Sequence, residues 1–208
     1  MQFTAIFESW HIGDGNYPPL YRGKLVNLSF ELELKILTPT SNSNSEKFEQ
    51  VIDAEYSFVG NILRLYDQDD DPFFVIQANE MIFYTTGDLS GYDYLLPGTK
   101  VSGYGTLLLD HYRWVEFLSE YTEPPNLFYT LRVDKIQKVQ MPEKYIYRDN
   151  KSKSVPTRLH PSEYPKNNVA VVETMEGQRF DEEFYIIDFS SISESNRVIP
   201  KTFLGKTS

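Results

Sequence analysis

The sequence predicts an all-β, mainly antiparallel protein, built as a barrel or a sandwich with few short helices. Between Val26 and Leu34 apolar and polar residues alternate strictly, the pattern of a strand with one face in the core and one in water. No long stretch keeps the helical period near 3.6 residues. The side chains expected in the core are Val26, Leu28, Phe30, Leu32 and Leu34, and those expected in water are Asn27, Ser29, Glu31 and Glu33.

Other short runs rich in β-branched and aromatic residues also predict strands, because such side chains suit a pleated sheet. Turn sequences such as Leu-Pro-Gly-Thr separate them. These runs are Phe3–Phe7, Tyr56–Tyr66, Phe73–Gln77 with Met81–Thr85, Lys100–Leu109, Trp114–Leu118, Leu127–Val139, Val169–Thr174 and Phe184–Phe189.

The central part of the chain resembles a small OB-like Greek-key barrel with extra strands. A strand interrupted by Gly60 is followed by a hairpin partner, and then by a segment in which Gly103 and Gly105 lie close together. Glycines in strands of this kind let a strongly coiled sheet turn a corner. The resemblance is to a superfold that hosts many functions, so by itself it implies a shape rather than an activity.

We divide the chain into a main β domain at 1–140, a proline-rich basic connection at 141–168 and a C-terminal strand pair at 169–208 packed on the main domain. Pro142, Pro156, Pro161 and Pro165 punctuate the connection, which has no alternating pattern. A flexible linker and an ordered arm draped over the barrel both fit this composition.

Composition excludes several classes of site. The chain has no cysteine, which removes disulfide frameworks, thiolate metal sites and cysteine nucleophiles. Glu8 interrupts the first apolar stretch before a signal peptide could form, and no apolar run is long enough to span a bilayer. We therefore expect a cytoplasmic location, no membrane association and no cofactor.

The charge is large and unevenly distributed. The formal net charge is -10, and the stretch from Glu46 to Leu96 holds eleven acidic residues against only Lys47 and Arg64. An acidic protein repels phosphate backbones, so the charge disfavours nucleic acid as a partner and favours a basic protein.

Two kinds of polar arrangement, an aspartate cluster and histidine–carboxylate pairs, have the residue types of chemical sites. The cluster Asp67, Asp69, Asp70 and Asp71 offers oxygen ligands for a cation such as calcium, but it lacks the glycine and the distal glutamate of an EF-hand loop. A solvated hairpin turn before Pro72 is the favoured interpretation, because Asp before Pro is ordinary turn chemistry. His11 with Asp14, and Asp110 with His111, each place an imidazole near a carboxylate, yet no Gly-x-Ser-x-Gly nucleophile accompanies them. The sequence therefore predicts no catalytic and no metal-binding residue.

Two groups of aromatic residues have the composition of recognition surfaces. In the segment from Ser9 to Tyr21, Trp10 and Tyr17 stand beside two prolines, as in a binding surface. A loop pinned to the core by Trp10 and Tyr21 is the favoured alternative. A second group, which includes Phe128 and Tyr129, has the aromatic character of a base-stacking face but an anionic setting.

The favoured functional hypothesis is a non-enzymatic protein-binding module whose acidic face engages a basic partner, in an immunity-like or assembly role. Charged residues would steer the partner and a nearby tyrosine would anchor it. The alternatives are an OB-like binder of single-stranded nucleic acid and a metal-dependent hydrolase. The sequence identifies neither the partner nor the oligomeric state. The residues predicted to contact the partner are Asp67, Asp69, Asp70, Asp71, Asp88, Tyr92, Asp93, Tyr94, Trp10 and Tyr17.

Overall fold

The computed structural model describes residues 1–13, 17–66, 73–86, 91–92, 95–110, 126–140, 169–176 and 183–192. These form eleven strands in one continuous hydrogen-bonded system and, within the described ranges, one short helix, α1 (Trp10–Gly13). The strands are β1 (Gln2–Glu8), β2 (Leu25–Leu28), β3 (Phe30–Pro39), β4 (Lys47–Ile52), β5 (Glu55–Tyr66), β6 (Phe73–Ala78), β7 (Met81–Thr86), β8 (Lys100–Leu109), β9 (Tyr129–Gln140), β10 (Val169–Val172) and β11 (Glu183–Ser191).

Five strands close into a barrel, which confirms the all-β prediction and selects the barrel over the sandwich. Around the ring β3 pairs with β7, β7 with β6, β6 with β5, β5 with β8, and β8 with β3. Every contact is antiparallel except that between β3 and β7. Closure leaves the ring without a free edge.

The barrel closes with a pronounced stagger. Arg64 pairs with Val75, Val75 with Tyr84, and Tyr84 with Glu31. From Glu31 the pairing continues through β8 and returns to β5 near Ala54, so one circuit of the ring is displaced by about ten residues along β5. Such a shift forces β5 to bend so that its first half pairs with β8 and its second half with β6.

Gly60 lies at the bend of β5, where no side chain fits. A Cβ atom there would lie 2.3 Å from the carbonyl oxygen of Gln77. Gly105 has the same constraint on β8, because its Cβ would lie 2.4 Å from the carbonyl oxygen of Glu33. These two positions show why the strands of this small barrel need glycine where they cross closely.

A second region, which we call the sheet extension, consists of β1, β2, β9, β10 and β11. The strand β11 lies between β1 and β9, while β10 and β2 pair with different parts of β9. The extension continues from the barrel because β8 pairs with β5 as far as Thr106 and with β1 at Leu108.

Two tyrosines join the barrel to the extension by imitating strand pairing. The backbone N–H of Thr4 in β1 donates to the Tyr56 hydroxyl at 2.7 Å, and that hydroxyl donates to the Thr4 carbonyl at 3.1 Å. Tyr129 reaches from the extension to the barrel in the same way: its hydroxyl in β9 accepts from the N–H of Ile82 in β7 at 2.6 Å and donates to the Ile82 carbonyl at 3.1 Å. Each hydroxyl thereby satisfies a buried backbone pair that has no neighbouring strand.

The core is largely aromatic and spans both regions. Phe3 packs edge-on against Phe30 with ring centroids 5.0 Å apart, and both contact Phe189. Farther into the barrel Phe58 packs against Phe83 at 5.3 Å. One connected apolar cluster therefore reaches from the barrel into the extension.

Several strand predictions are confirmed and others need correction. The alternating run from Val26 to Leu34 is two strands, β2 and β3, which pair with different partners. Ser29 and Glu31 are buried, so the expectation that they face water is wrong. Polar neighbours described below stabilise them there. The strand β4 was missed because its exposed residues show no alternation, and the predicted strand Trp114–Leu118 lies outside the described residues.

The predicted C-terminal strands are present, but they do not pair with each other. The strand β10 lies on one side of β9 and β11 on the other, and β11 is an interior strand of the sheet. The division into domains stays a prediction, and its connection at 141–168 is outside the described residues. Where the structure describes the chain, no helix has the length and apolarity to span a membrane.

Candidate functional site

Strand directions gather the acidic connections at one end of the barrel, here called the loop end. The strands β3, β5 and β7 run toward this end, and their antiparallel neighbours β4, β6 and β8 run away from it. The connections at 67–72 and 87–99 therefore both leave and re-enter the barrel at the loop end. The sequence places Asp67, Asp69, Asp70, Asp71, Asp88 and Asp93 in these two connections.

The opposite end of the barrel carries the extension. The pairing of β8 with β1 occurs at Leu108, near the end of β8 that lies away from the loop end. Tyr129 reaches the barrel at Ile82, at the beginning of β7 and again away from the loop end. The short turn at 53–54 is also on this side. The stagger of the barrel brings the turn at 79–80 beside the end of the 40–46 connection, because the N–H of Asn79 donates to a carboxylate oxygen of Glu46 at 3.3 Å. Asp53 and Asn79 have left-handed conformations.

The described part of the loop end has a firm base. Tyr66 and Phe73 are register partners where β5 meets β6, and their rings stack with centroids 5.0 Å apart. Arg64 lies over the Tyr66 ring at 5.6 Å and donates to its hydroxyl at 3.1 Å. The Asp-rich connection thus begins and ends on an ordered aromatic pair.

The connection before β8 ends in a tight turn fastened to β5. The N–H of Thr99 donates to the carbonyl of Leu96 at 3.0 Å, with Gly98 at a φ of 87°. Proline followed by glycine at these positions is typical of a type II turn. Gly98 donates to the Ile62 carbonyl at 2.7 Å, and the N–H of Ile62 donates to the Thr99 carbonyl at 3.0 Å.

The predicted contact residues fall into four groups. Tyr92 lies at the loop end, half-buried against the core. Tyr17 is buried, and its hydroxyl donates to the backbone carbonyl of Asp110 at 3.0 Å, so its ring is not on the surface. Trp10 lies in α1, and its side chain is outside the description. Also outside the described residues are Asp67, Asp69, Asp70, Asp71, Asp88, Asp93 and Tyr94.

Comparison with known proteins adds no relative. No family model, curated protein or solved structure matches this chain. Any functional interpretation therefore depends on the residues themselves.

The structure also contains a buried polar cluster that the sequence did not predict as a unit. The Tyr84 hydroxyl is hydrogen bonded to a carboxylate oxygen of Glu31, at 2.7 Å, and to one of Asp110. Ser29 donates to the other carboxylate oxygen of Asp110 at 2.8 Å. Burial, followed by the nearby charges of Asp110 and Glu31, raises the pKa of Tyr84 well above 10, so its hydroxyl keeps its proton.

The serine and aspartate of this cluster and the buried His11 do not have the geometry of a catalytic triad. Ser29 is bonded directly to Asp110, whereas a triad requires a histidine between the serine and the carboxylate. His11 is buried and packs its ring against Phe7 and Tyr17. All of these side chains lie away from solvent, so the cluster joins β3, β7 and the end of β8 rather than receiving a substrate.

A third buried carboxylate, that of Glu55, lies on the barrel wall. Lys35, the residue displaced by the bulge in β3, forms a salt bridge with the fully buried Glu55 and lies 5.5 Å from the Tyr104 ring centroid. The positive charge of Lys35 offsets the cost of burying the Glu55 carboxylate. Among the described residues no group of three or more histidine, aspartate or glutamate side chains could hold a metal ion.

Proposed function

We propose that the protein is a non-enzymatic binding module whose acidic loop end engages a basic protein partner. An immunity-like role, in which the partner is a basic toxin, and an assembly role both fit this proposal. The observation that carries it is topological: strand direction brings two Asp-containing connections to the same end of one barrel. The proposal includes the cytoplasmic location expected from the sequence.

The location of the charge matters for function because a localised field steers a partner of opposite sign. Such steering raises the association rate and depends strongly on salt. The loop end is also the end that does not carry the extension, so a partner approaching it meets the acidic connections first.

Charge-matched variants test the proposal. After a partner is captured from native cell extract, its association with Asp69→Asn/Asp70→Asn and with Asp53→Asn/Glu80→Gln should be compared at several salt concentrations. The first variant removes two charges in the Asp-containing connection at 67–72, and the second removes two in the short turns at 53–54 and 79–80.

We expect the loop-end variant to slow association about threefold to tenfold and to flatten its salt dependence, with little effect from the control variant. Equal effects of the two variants would mean that only net charge matters. An association rate independent of salt would remove the proposal.

A second candidate function, binding of single-stranded nucleic acid, is favoured by the order of the ring. The meander β5–β6–β7, the parallel contact of β7 with β3 and the return through β8 resemble an OB barrel whose last strand comes first in the chain. The net charge of -10 opposes this function. A fluorescent single-stranded oligonucleotide at low salt tests it, and the absence of binding would exclude it.

A further inference from the structure

We propose that Leu63 and Leu96 form the apolar anchor of the loop end, and that its partner is a cationic protein surface presenting an apolar side chain. This inference rests on the proposed function and specifies the chemistry of the partner. It names an anchor other than the tyrosines expected from the sequence, of which Tyr92 is half-buried against the core and Tyr94 lies outside the described residues.

Backbone geometry holds both leucines outward. Leu63 is the displaced residue of the bulge in β5 and is 44% exposed, whereas its neighbour Ile62 is fully buried. Leu96 is the first residue of the turn that ends at Thr99 and is 62% exposed. Neither exposed position depends on a loose loop.

The two leucines lie on backbone segments that are bonded to each other. The bonds from Gly98 to the Ile62 carbonyl and from Ile62 to the Thr99 carbonyl tie the turn to β5 beside Leu63. A rigid backbone loses little conformational freedom on binding, so apolar contacts there contribute more of their free energy to affinity.

Charge complementarity determines the class of partner. The same two connections that flank these leucines carry most of the acidic residues between Glu46 and Leu96. A lipid surface or nucleic acid would bring negative charge to this end, whereas a basic protein would satisfy both the charge and the apolar contact. Isolated surface leucines need no explanation. Two leucines on hydrogen-bonded backbone segments at the acidic end combine an apolar anchor with a charged surround, the two elements of an anchored interface.

Two fluorescent synthetic peptides of equal positive charge test the proposal on the full chain. One alternates lysine with leucine and the other alternates lysine with glycine, and anisotropy at low salt gives the affinity of each. We expect the leucine peptide to bind wild type about tenfold more tightly. Leu63→Ser/Leu96→Ser should abolish that preference while leaving the affinity for the glycine peptide unchanged.

The control variant is Leu25→Ser/Val171→Ser, which removes two apolar side chains of similar exposure, 60% and 59%, from the extension. It should keep the preference. Circular dichroism should verify folding, and Leu96→Ser alone provides a milder substitution if the double variant unfolds. A preference that survives in the folded Leu63 and Leu96 variants overturns the anchor.

The two proposals fail in different ways. If Asp69→Asn/Asp70→Asn weakens binding of both peptides but the leucine variants change nothing, the acidic module stands and the anchor is wrong. If neither peptide binds wild type at low salt, the acidic module is wrong and the anchor falls with it.

Discussion

The barrel and the sheet extension are built from strands with different separations in the chain. Three barrel strands, β5, β6 and β7, follow one another and pair in sequence. In the extension, by contrast, β1 at the beginning of the chain pairs with β11 near its end. Local pairing forms with a smaller loss of chain entropy than distant pairing does. The difference teaches that the β5–β6–β7 meander is specified by neighbouring segments, whereas closure of the ring through β3 and the pairing of β1 with β11 bring distant segments together.

The two regions also expose their backbone differently. The barrel ring is closed, so its strands have partners on both sides over much of their length. The extension has an outer strand, β10, in which Ala170 and Val171 are exposed. Tyr56 and Tyr129 join the regions by completing backbone pairs that the strands leave unmatched.

The strongest test of this comparison is to obstruct closure of the barrel. Gly60→Ala would place a Cβ 2.3 Å from a backbone oxygen, which cannot move away as a flexible side chain could. We expect a loss of about 3 kcal/mol in the free energy of unfolding, measured with urea. Ser57→Ala, on the same strand, should change it by less than about 0.5 kcal/mol. A tolerant Gly60 would contradict the tight crossing of β5 and β6.

The next test concerns the buried polar cluster. Glu31→Lys introduces a cation beside the Tyr84 hydroxyl in a buried position, and we expect a cost of about 3 kcal/mol. Glu33→Lys, two residues along β3 at a half-buried position, should cost less than about 1 kcal/mol. Urea denaturation of both variants measures the contrast, and equal costs would mean that the cluster contributes nothing specific.

A smaller effect is expected from the junction between the regions. Tyr56→Phe removes the hydroxyl that pairs with Thr4, at a cost of about 1.5 kcal/mol at neutral pH. In alkali, the free energy of unfolding of this variant should fall less steeply than that of wild type. Burial raises the pKa of Tyr56 to about 12, against 10 in the unfolded chain.

The sign of this dependence follows from which state keeps the proton. Between about pH 10 and about pH 12 the unfolded chain loses the Tyr56 proton while the folded protein retains it, so stability falls as pH rises. Urea denaturation across this range should show wild type and Tyr56→Phe converging. Parallel curves would show that Tyr56 does not titrate differently in the two states.

The smallest expected effects separate two salt bridges of the barrel wall. Lys35→Met leaves the buried Glu55 without its cation and should cost about 1 kcal/mol, because Lys35 itself is partly exposed to solvent. Lys47→Met breaks an exposed pair with Glu49 and should cost less than about 0.5 kcal/mol. Thermal unfolding compares the two variants. A cost from Lys47 as large as that from Lys35 would contradict the difference in burial.

Sequence patterns located much of the candidate site but not its surroundings. The charge count identified the stretch from Glu46 to Leu96, and the turn at Leu96 was visible from its proline and glycine. No pattern distinguished the exposed Leu63 from its buried neighbour Ile62, because the bulge that turns Leu63 outward arises from pairing with β6. Equally, nothing local marked Ser29 and Glu31 as buried, since Tyr84 and Asp110 are distant in the chain.

The sequence by itself determined the all-β class, most strand positions and the acidic character of the central segment. These properties follow from side-chain type and local period, which act over a few residues. Tertiary structure decided which strands close the ring, that β10 and β11 lie on opposite sides of β9, and that the Asp-containing connections share one end. These outcomes depend on strand direction, on stagger and on pairing between distant segments. The physical reason is that the free energy of a strand edge or of a buried carboxylate depends on the neighbours that the fold supplies.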